Sequence, residues 1–167
     1  MNPPARIPLV TTRPASPEDE FFLLQLTGRL AEFAVPEWRT AAEVTGADHA
    51  ILLEALRAGD DDTAILVAEA EGVGPAGFIF ATTRQDYFTG EAHAHVEVLA
   101  VDSRAEGQGV ARALMTAIES WATGRGYRII TLNVFDGNHR ARGLYQRLGY
   151  QVETLHYLKT LGAAPRS

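Results

Sequence analysis

The stretch RAEGQGVARALM, residues 104–115, sets Gly107 and Gly109 one residue apart, directly before an apolar-periodic helix. Glycine weakens a helix that it precedes, so its use there points to something that approaches the backbone closely. The first turn of a helix offers unpaired N–H groups and the positive end of the helix dipole, which suits a phosphate. Just upstream, HAHVEVLAV spaces His93, His95 and Glu97 by two, which on a strand puts all three on one face. A carboxylate inside so apolar a strand is a candidate general base, because burial raises its pKa toward the useful range. A solvated, edge-facing glutamate is the structural alternative, and His95 is a second candidate base. H-x-H-x-E also fits zinc ligands, but imidazoles near a strand start are often surface groups, and no metal is expected.

These residues need elements to position them. Arg6 to Thr12 reads as a short opening strand; Ser16, Pro17 and Asp19 then supply an N-cap, a first-turn proline and an acidic third helical residue. Phe21, Phe22, Leu24, Leu26, Leu30 and Phe33 carry that helix to a break at Pro36, and a second helix is expected from about Asp48 to Arg57. TAILVAEA and AGFIFATTRQ read as an antiparallel hairpin, with HAHVEVLAV as the next strand after the loop DYFTGEA. The helix after the glycines presents Val110, Ala113, Leu114, Ala117, Ile118 and Trp121 on one face. YRIITLNVF then forms a strand, NHRARGLYQRLGY a short helix capped by Asn138 and stopped by Gly149, and a last strand runs from about Tyr150 to Leu158. The fold class is α/β (mixed, α+β by some schemes): a central mixed β-sheet with helices on both faces. A glycine loop that leaves a strand and enters a helix is where such sheets bind ligands.

The 167 residues fit a single domain, 1–167, with short tails. Hydrophobic residues make up 46% and charged residues 22% of the chain, ordinary for a soluble globular protein. No apolar run approaches the ~20 residues of a membrane span, and MNPPARIPLV lacks a signal-peptide pattern, so a cytoplasmic location and no membrane partner are expected. A formal net charge of −6 disfavours nucleic acid as a partner and suits a cationic acceptor. The absence of cysteine removes disulfides, thiolate metal sites and a cysteine nucleophile together. A Walker loop would need a lysine after these glycines, and a dinucleotide fingerprint would need a third glycine where Arg112 stands.

VEVLAVDSRAEGQGVARALM, then a strand, then NHRARGLYQRLGY, resembles the GNAT superfamily of acyl-CoA-dependent N-acyltransferases. Its R/Q-x-x-G-x-G/A loop is matched by Arg104, Gly107 and Gly109. Its N-x-x-A-x-x-L-Y-x-x-L-G-[FY] segment is matched by Asn138, Ala141, Leu144, Tyr145, Leu148, Gly149 and Tyr150, and the match covers roughly residues 93–158. The resemblance implies a GNAT-like fold with acetyl-CoA as co-substrate. Backbone N–H groups of Gly107, Gln108, Gly109, Val110 and Ala111 would hold its pyrophosphate. The pantetheine arm would pair like an added strand with Leu99 and Val101, with the oxyanion donor a backbone N–H near Leu99 or Ala100. Asn138 is either a helix cap alone or a cap that also faces the cofactor.

The resemblance further implies acetyl transfer to a primary amine. Such an amine has a solution pKa of about 10.4, so the site must help remove a proton and must stabilise the departing thiolate. Tyr145 matches the family's acid near the thioester sulfur; a core tyrosine is the alternative. Glu97 is the candidate base, directly or through water. For the acceptor, a small-molecule or protein amine, Trp38, Tyr87 and Phe88 are candidate wall residues, with Glu37, Asp86 and Glu91 as candidate negative charge; an ordinary loop residue is the favoured reading of each. A homodimer is compatible with the family, and a non-catalytic acyl-CoA-binding module is the rival reading.

Overall fold

The computed structural model describes residues 9–32 and 35–162. Five strands form one sheet in the order β1-β2-β3-β4-β5: β1 Val10–Pro14, β2 Thr63–Ala70, β3 Gly74–Gln85, β4 Ala92–Val101 and β5 Ile130–Leu132. The first four are antiparallel neighbours, and β5 joins β4 in parallel. Four α-helices cover the sheet: α1 Glu20–Thr27, α2 Ala41–Ala58, α3 Val110–Gly124 and α4 His139–Arg147.

Each face of the sheet buries its own core. On one, Ile79, Ala81 and Val96 pack with Val110, Leu114, Met115 and Ile118 of α3. On the other, Phe78, Phe80, Val98 and Ala100 pack with Leu23 and Leu26 of α1 and Leu52 of α2. The central strand β3 serves both, which is why FIFA reads as a continuous apolar run rather than an alternating one. Gly77 sets how closely α3 approaches: a Cβ there would stand 2.8 Å from the Ala100 carbonyl and 2.9 Å from Val110 Cγ1.

The described part of the expected opening strand forms late, from Val10, and Phe33 and residues 6–8 lie outside the described residues. The first helix is shorter than its apolar spacing predicts. It enters through a 3₁₀ turn at Pro17–Asp19 and leaves through another at Gly28–Ala31. The second helix starts earlier than expected, because Thr40 and Glu43 form a reciprocal capping box. Glu43 N–H donates to Thr40 Oγ1 at 3.1 Å, and Thr40 N–H donates to Glu43 Oε2 at 2.8 Å.

Two strand expectations are corrected. The strand read over 127–135 is confined to Ile130–Leu132, since it has a partner, β4, on one side only and pairs over just three positions. The expected strand from Tyr150 to Leu158 does not form: residues 151–162 carry no regular structure and are exposed, Val152, Leu155 and Tyr157 included. Apolar, β-branched composition suits a strand, but a strand exists only where another supplies the ladder. Among the described residues none lies beyond β5.

Candidate active site

The site grows from irregularities in β4. Phe80 pairs with Val98 while Ala81 pairs with Val96, so Glu97 is an extra residue, a β-bulge. The bulge changes the side-chain alternation. Val96 faces α3, yet Val98 and Ala100 join the core of the α1/α2 face, the face of His93, His95 and Glu97. Beyond the bulge β4 also loses its other neighbour. Its pairing with β5 covers Ala94–Ile130, His95–Thr131 and Val96–Leu132, and β4 then continues to Val101 paired with β3 alone. Asp102 N–H donates to Ala76 O at 2.8 Å. By alternation the backbone groups of Leu99 and Val101 therefore point away from β3, into the opening. The Arg29 guanidinium, from the turn after α1, donates to the Val101 carbonyl there.

The glycine loop leaves directly from this unpaired end. Asp102 starts it by accepting from Arg104 N–H at 2.8 Å, and its carboxylate also binds the exposed Arg104 guanidinium. Gly107 and Gly109 take φ values of 76° and 86°, a region that L side chains rarely enter. A Cβ at either would meet open space, so the backbone itself demands glycine here and leaves the approach clear. The first intrahelical bond of α3 runs from Ala113 N–H to the Gly109 carbonyl at 3.0 Å. Val110, Ala111 and Arg112 therefore present N–H groups without helical acceptors. Gln108 donates from Nε2 to the Arg104 carbonyl at 3.0 Å, and its buried Oε1 has no partner among the described residues.

The first turn of α4 stands across from this loop. Asn138 Oδ1 accepts from Ala141 N–H at 3.1 Å, so its cap role is realised. Arg140 pairs with Glu106 at 2.9 Å, and Glu106 also pairs with Arg29 at 2.8 Å. One carboxylate thus ties the glycine loop to α4 and to the turn after α1. Tyr145 packs half-buried on the α3 side, its ring 5.9 Å from that of Tyr150. Its hydroxyl has no hydrogen-bond partner among the described residues, and burial pushes its pKa up to about 12. It is a proton-bearing donor at neutral pH.

His95 and Glu97 lie on the opposite face. His93 and His95 are buried, 7% and 5% exposed, and converge on one hydroxyl. Thr131 Oγ1 lies 2.7 Å from His95 Nδ1 and 3.1 Å from His93 Nε2. Burial, then the positive charge of Arg84, pushes the His95 pKa down to about 4, while the charge of Glu97 opposes that shift. The ring is neutral at pH 7. Glu97 receives Arg84 on both oxygens, at 2.7 and 2.8 Å from Nη2, and the Thr82 hydroxyl at 2.6 Å. From α2, Asp48 contributes a half-buried carboxylate with no hydrogen bond or ion pair among the described residues; burial and the Glu97 charge raise its pKa.

The structure thus brings His95 and Glu97 together, places Leu99, Val101 and residues 104–111 along the opening, and sets Asn138 and Tyr145 beside it. It does not gather the aromatic residues proposed for the acceptor wall. Tyr87 and Phe88 stand at the β3–β4 tip, 93% and 76% exposed, packed edge-on against each other. Asp86 caps that turn, Glu91 pairs with Arg128, and Trp38 is 43% exposed. Sequence reasoning missed Arg84, Thr131, Asp48, Arg29 and Glu106. Arg84 alone had a readable signal, because hairpin pairing across DYFTGEA sets it opposite His93. Thr131 had none, since a parallel register has no turn from which to count. Among the described residues no group of three His, Asp or Glu side chains is arranged to hold a metal, and no helix is long and apolar enough to cross a membrane.

Residues 16–150 match the model of the acetyltransferase (GNAT) family. Among solved structures, a GCN5-related N-acetyltransferase from Ralstonia eutropha is similar at 20% identity and TM-score 0.71, covering 92% of this chain and 100% of its own. An aminoglycoside N-acetyltransferase in complex with CoA is similar at 23% identity and TM-score 0.69, with 95% and 99% covered. Glucosamine-6-phosphate N-acetyltransferase from Arabidopsis thaliana is similar at 18% identity and TM-score 0.66, with 92% and 99% covered. At these identities the likeness is one of fold. No curated protein sequence matches the chain.

Proposed function

Because the chain belongs to the GNAT acetyltransferase family, we propose that it is an N-acetyltransferase, moving an acetyl group from acetyl-CoA to a primary amine by direct attack in a ternary complex. One observation carries the reading: β4 parts from β5 after three residue pairs, and the glycine loop opens from the unpaired end. A thin, hydrogen-bonding chain that ends in phosphates fits such an opening, with backbone on its flank and helix N–H groups at its mouth.

Each residue then has a task. N–H groups of Gly107, Gly109, Val110 and Ala111 hold the pyrophosphate, Leu99 and Val101 pair with the pantetheine arm, and the Leu99 N–H faces the developing oxyanion; the Ala100 N–H turns toward β3, and the Gln108 N–H is given to the Ala105 carbonyl. Tyr145 donates toward the departing sulfur from the α3 face. From the other face Glu97 drives removal of the amine proton, acting through His95, whose charged form it favours, or through water. Arg84 keeps Glu97 in place. No cysteine exists to carry the acetyl group, which agrees with direct transfer. Amino sugars lead the acceptor panel, since two neighbours are named for aminoglycoside and glucosamine-6-phosphate acetylation. Polyamines, amino-acid derivatives and peptide amines complete it.

The test is a thermal-shift titration with acetyl-CoA, CoA, ATP and NAD in parallel, followed by thiol release across that panel. A ligand of the folded state raises its melting temperature. Stabilisation by the two CoA species alone, with thiol release for one class of amine, is the expected result. CoA binding without release from any amine would favour an acyl-CoA-binding module instead, and stabilisation by ATP or NAD alone would end the acyltransferase reading.

A further inference from the structure

We propose that Asp48 is a specificity-determining residue of the acceptor face, its carboxylate binding a second ammonium group that the acceptor carries beside the amine to be acetylated. The acceptor is therefore a di- or polyamine, linear or built on a sugar, and not a phosphorylated amino sugar. The inference rests on the acetyltransferase reading of this site and adds which amines it selects.

Polar groups taken out of water are paired in folded proteins, so an unpaired one calls for an explanation. Among the described residues, every other buried or half-buried acidic side chain accepts a hydrogen bond. Asp19 and Glu69 accept from Arg13, Asp86 from its own turn and Glu97 from Arg84. Asp102 accepts from Arg104, Glu106 from Arg29 and Glu119 from the Tyr150 hydroxyl. Asp48 accepts none and has no ion pair among the described residues, although its place in α2 makes that costly. It precedes buried Leu52 by four residues and buried Ala55 by seven, so it stands on the stripe that the helix turns toward the core. That stripe calls for an apolar residue at 48. The one basic group that acts on Asp48, the neighbouring His49 ring, gives its Nε2 hydrogen to the Leu24 carbonyl at 2.9 Å.

The sign of the missing partner follows from its surroundings. Burial and the negative charge of Glu97 both raise the Asp48 pKa, so a positive charge is what this place lacks. Glu97 is itself taken, with Arg84 Nη2 at 2.7 and 2.8 Å from its two oxygens and the Thr82 hydroxyl at 2.6 Å. Asp48 is therefore the open anion beside the candidate base. The reacting amine is a poor partner for it, because attack needs a neutral nitrogen and a carboxylate in hydrogen-bond contact holds an ammonium charged. A second amine that takes no part in bond-making has no such conflict. With a solution pKa of about 10.4 it stays protonated at neutral pH, and its hydrogen bond to a carboxylate is of the stronger, charge-assisted kind. A phosphate in the same place would meet Asp48 and Glu97 as like charges. The net charge of −6 on the chain also draws a polycation.

The probes are a linear diamine, the amino alcohol of the same length, a sugar with several amines and glucosamine 6-phosphate, each with the native protein and with Asp48→Asn. Asparagine keeps the shape and removes a charge that has no partner, so the variant should melt no lower than the native protein. In the native protein kcat/KM for the diamine is expected about tenfold or more above that for the amino alcohol, with glucosamine 6-phosphate lowest. Asp48→Asn should raise KM for the diamine about tenfold and leave kcat within about threefold, while both constants for the amino alcohol stay within about twofold. The larger loss, with the linear or with the sugar polyamine, tells which of the two the site is shaped for. Calorimetric binding of the diamine to the protein with CoA bound reads the same loss without turnover. Equal rates with diamine and amino alcohol in the native protein would overturn the proposal. So would a fall in kcat for both amines in Asp48→Asn, which would make Asp48 a base. If diamine binding depends on Asp48 while no amine is acetylated, the proposal stands as binding and the acetyltransferase reading fails.

Discussion

The two halves of the candidate site are written in different materials. The loop from Asp102 to Ala111 offers backbone: two glycines at positive φ, open N–H groups and, beyond them, an unpaired strand edge. The cluster on the other face offers side chains: two buried imidazoles around a hydroxyl, and a carboxylate gripped by Arg84 and Thr82. A backbone site recognises what every donor molecule shares, and tolerates change wherever the chain path survives. A side-chain site has a separate function at each atom, so substitutions there should touch turnover and leave donor binding alone.

The sharpest break of that contrast is His95→Gln. Removing a positioned base costs about 10²-fold in rate, so kcat should fall by that order while acetyl-CoA affinity, measured by calorimetry, stays within about twofold of the native value. Equal losses in both would mean that the two halves are not separate sites. Gly109→Val makes the converse test. Forcing a β-branched residue to a φ of 86° costs of order 1–3 kcal/mol, and the loop escapes that cost by leaving the conformation that presents its N–H groups. Affinity for acetyl-CoA should drop roughly tenfold, with kcat at saturation little changed.

The same division explains what could be read from sequence. The glycine loop was legible because its signal is a pattern: G-x-G, a strand before, a periodic helix after. The strand Thr63–Ala70 was legible for the same reason, and its bounds agree with the structure. The side-chain cluster was legible by type only. Period two puts His93, His95 and Glu97 on one face, but not that Glu97 is a bulge, which keeps Val98 and Ala100 on that face as well. It also gave no hint that Thr131, from a strand far along the chain, would enter between the imidazoles. The early start of α2 hid behind Gly46 and a diluted apolar pattern, although Thr40 and Glu43 spell a capping box. The expected strand after Tyr150 failed for a reason outside its own residues, the lack of a partner beyond β5.

At the loop end of β3 stands Gly77, where neither pattern nor chemistry gave warning. An added Cβ would press on the Ala100 carbonyl, on the β3 side of β4, and on Val110, the first residue of α3. Overpacking of this kind costs about 1–3 kcal/mol. A domain of this size loses about 2–4 °C per kcal/mol, so Gly77→Ala should melt several degrees lower. The comparison sharpens if acetyl-CoA affinity falls with it while the acceptor KM holds, since the displaced helix carries the loop and not the histidines.

The smallest expected effect lies at the other edge of the sheet, where β1 meets the start of α1, and depends on pH. Arg13 donates to both oxygens of buried Asp19, at 2.7 and 2.9 Å, and ties β1 to the turn that starts α1. That hydrogen bonding holds the Asp19 pKa down to about 2 from an ordinary 3.8. A pKa lowered by folding contributes stability that is present above the unfolded value and is lost as pH falls through the folded one. The contribution is therefore whole at pH 5 to 7, shrinks below about 4 and is gone near 2. Because the Arg13 side chain is 38% exposed, water screens the pair and leaves about 1 kcal/mol. Calorimetric melts of the native protein and Asp19→Asn should differ by a few degrees at pH 6 and converge toward pH 2, with acetyl-CoA affinity at pH 7 the same in both. A gap that persisted at pH 2 would show that Asp19 acts by packing rather than charge. A change in acetyl-CoA affinity would show that strain at the β1 edge reaches the backbone site.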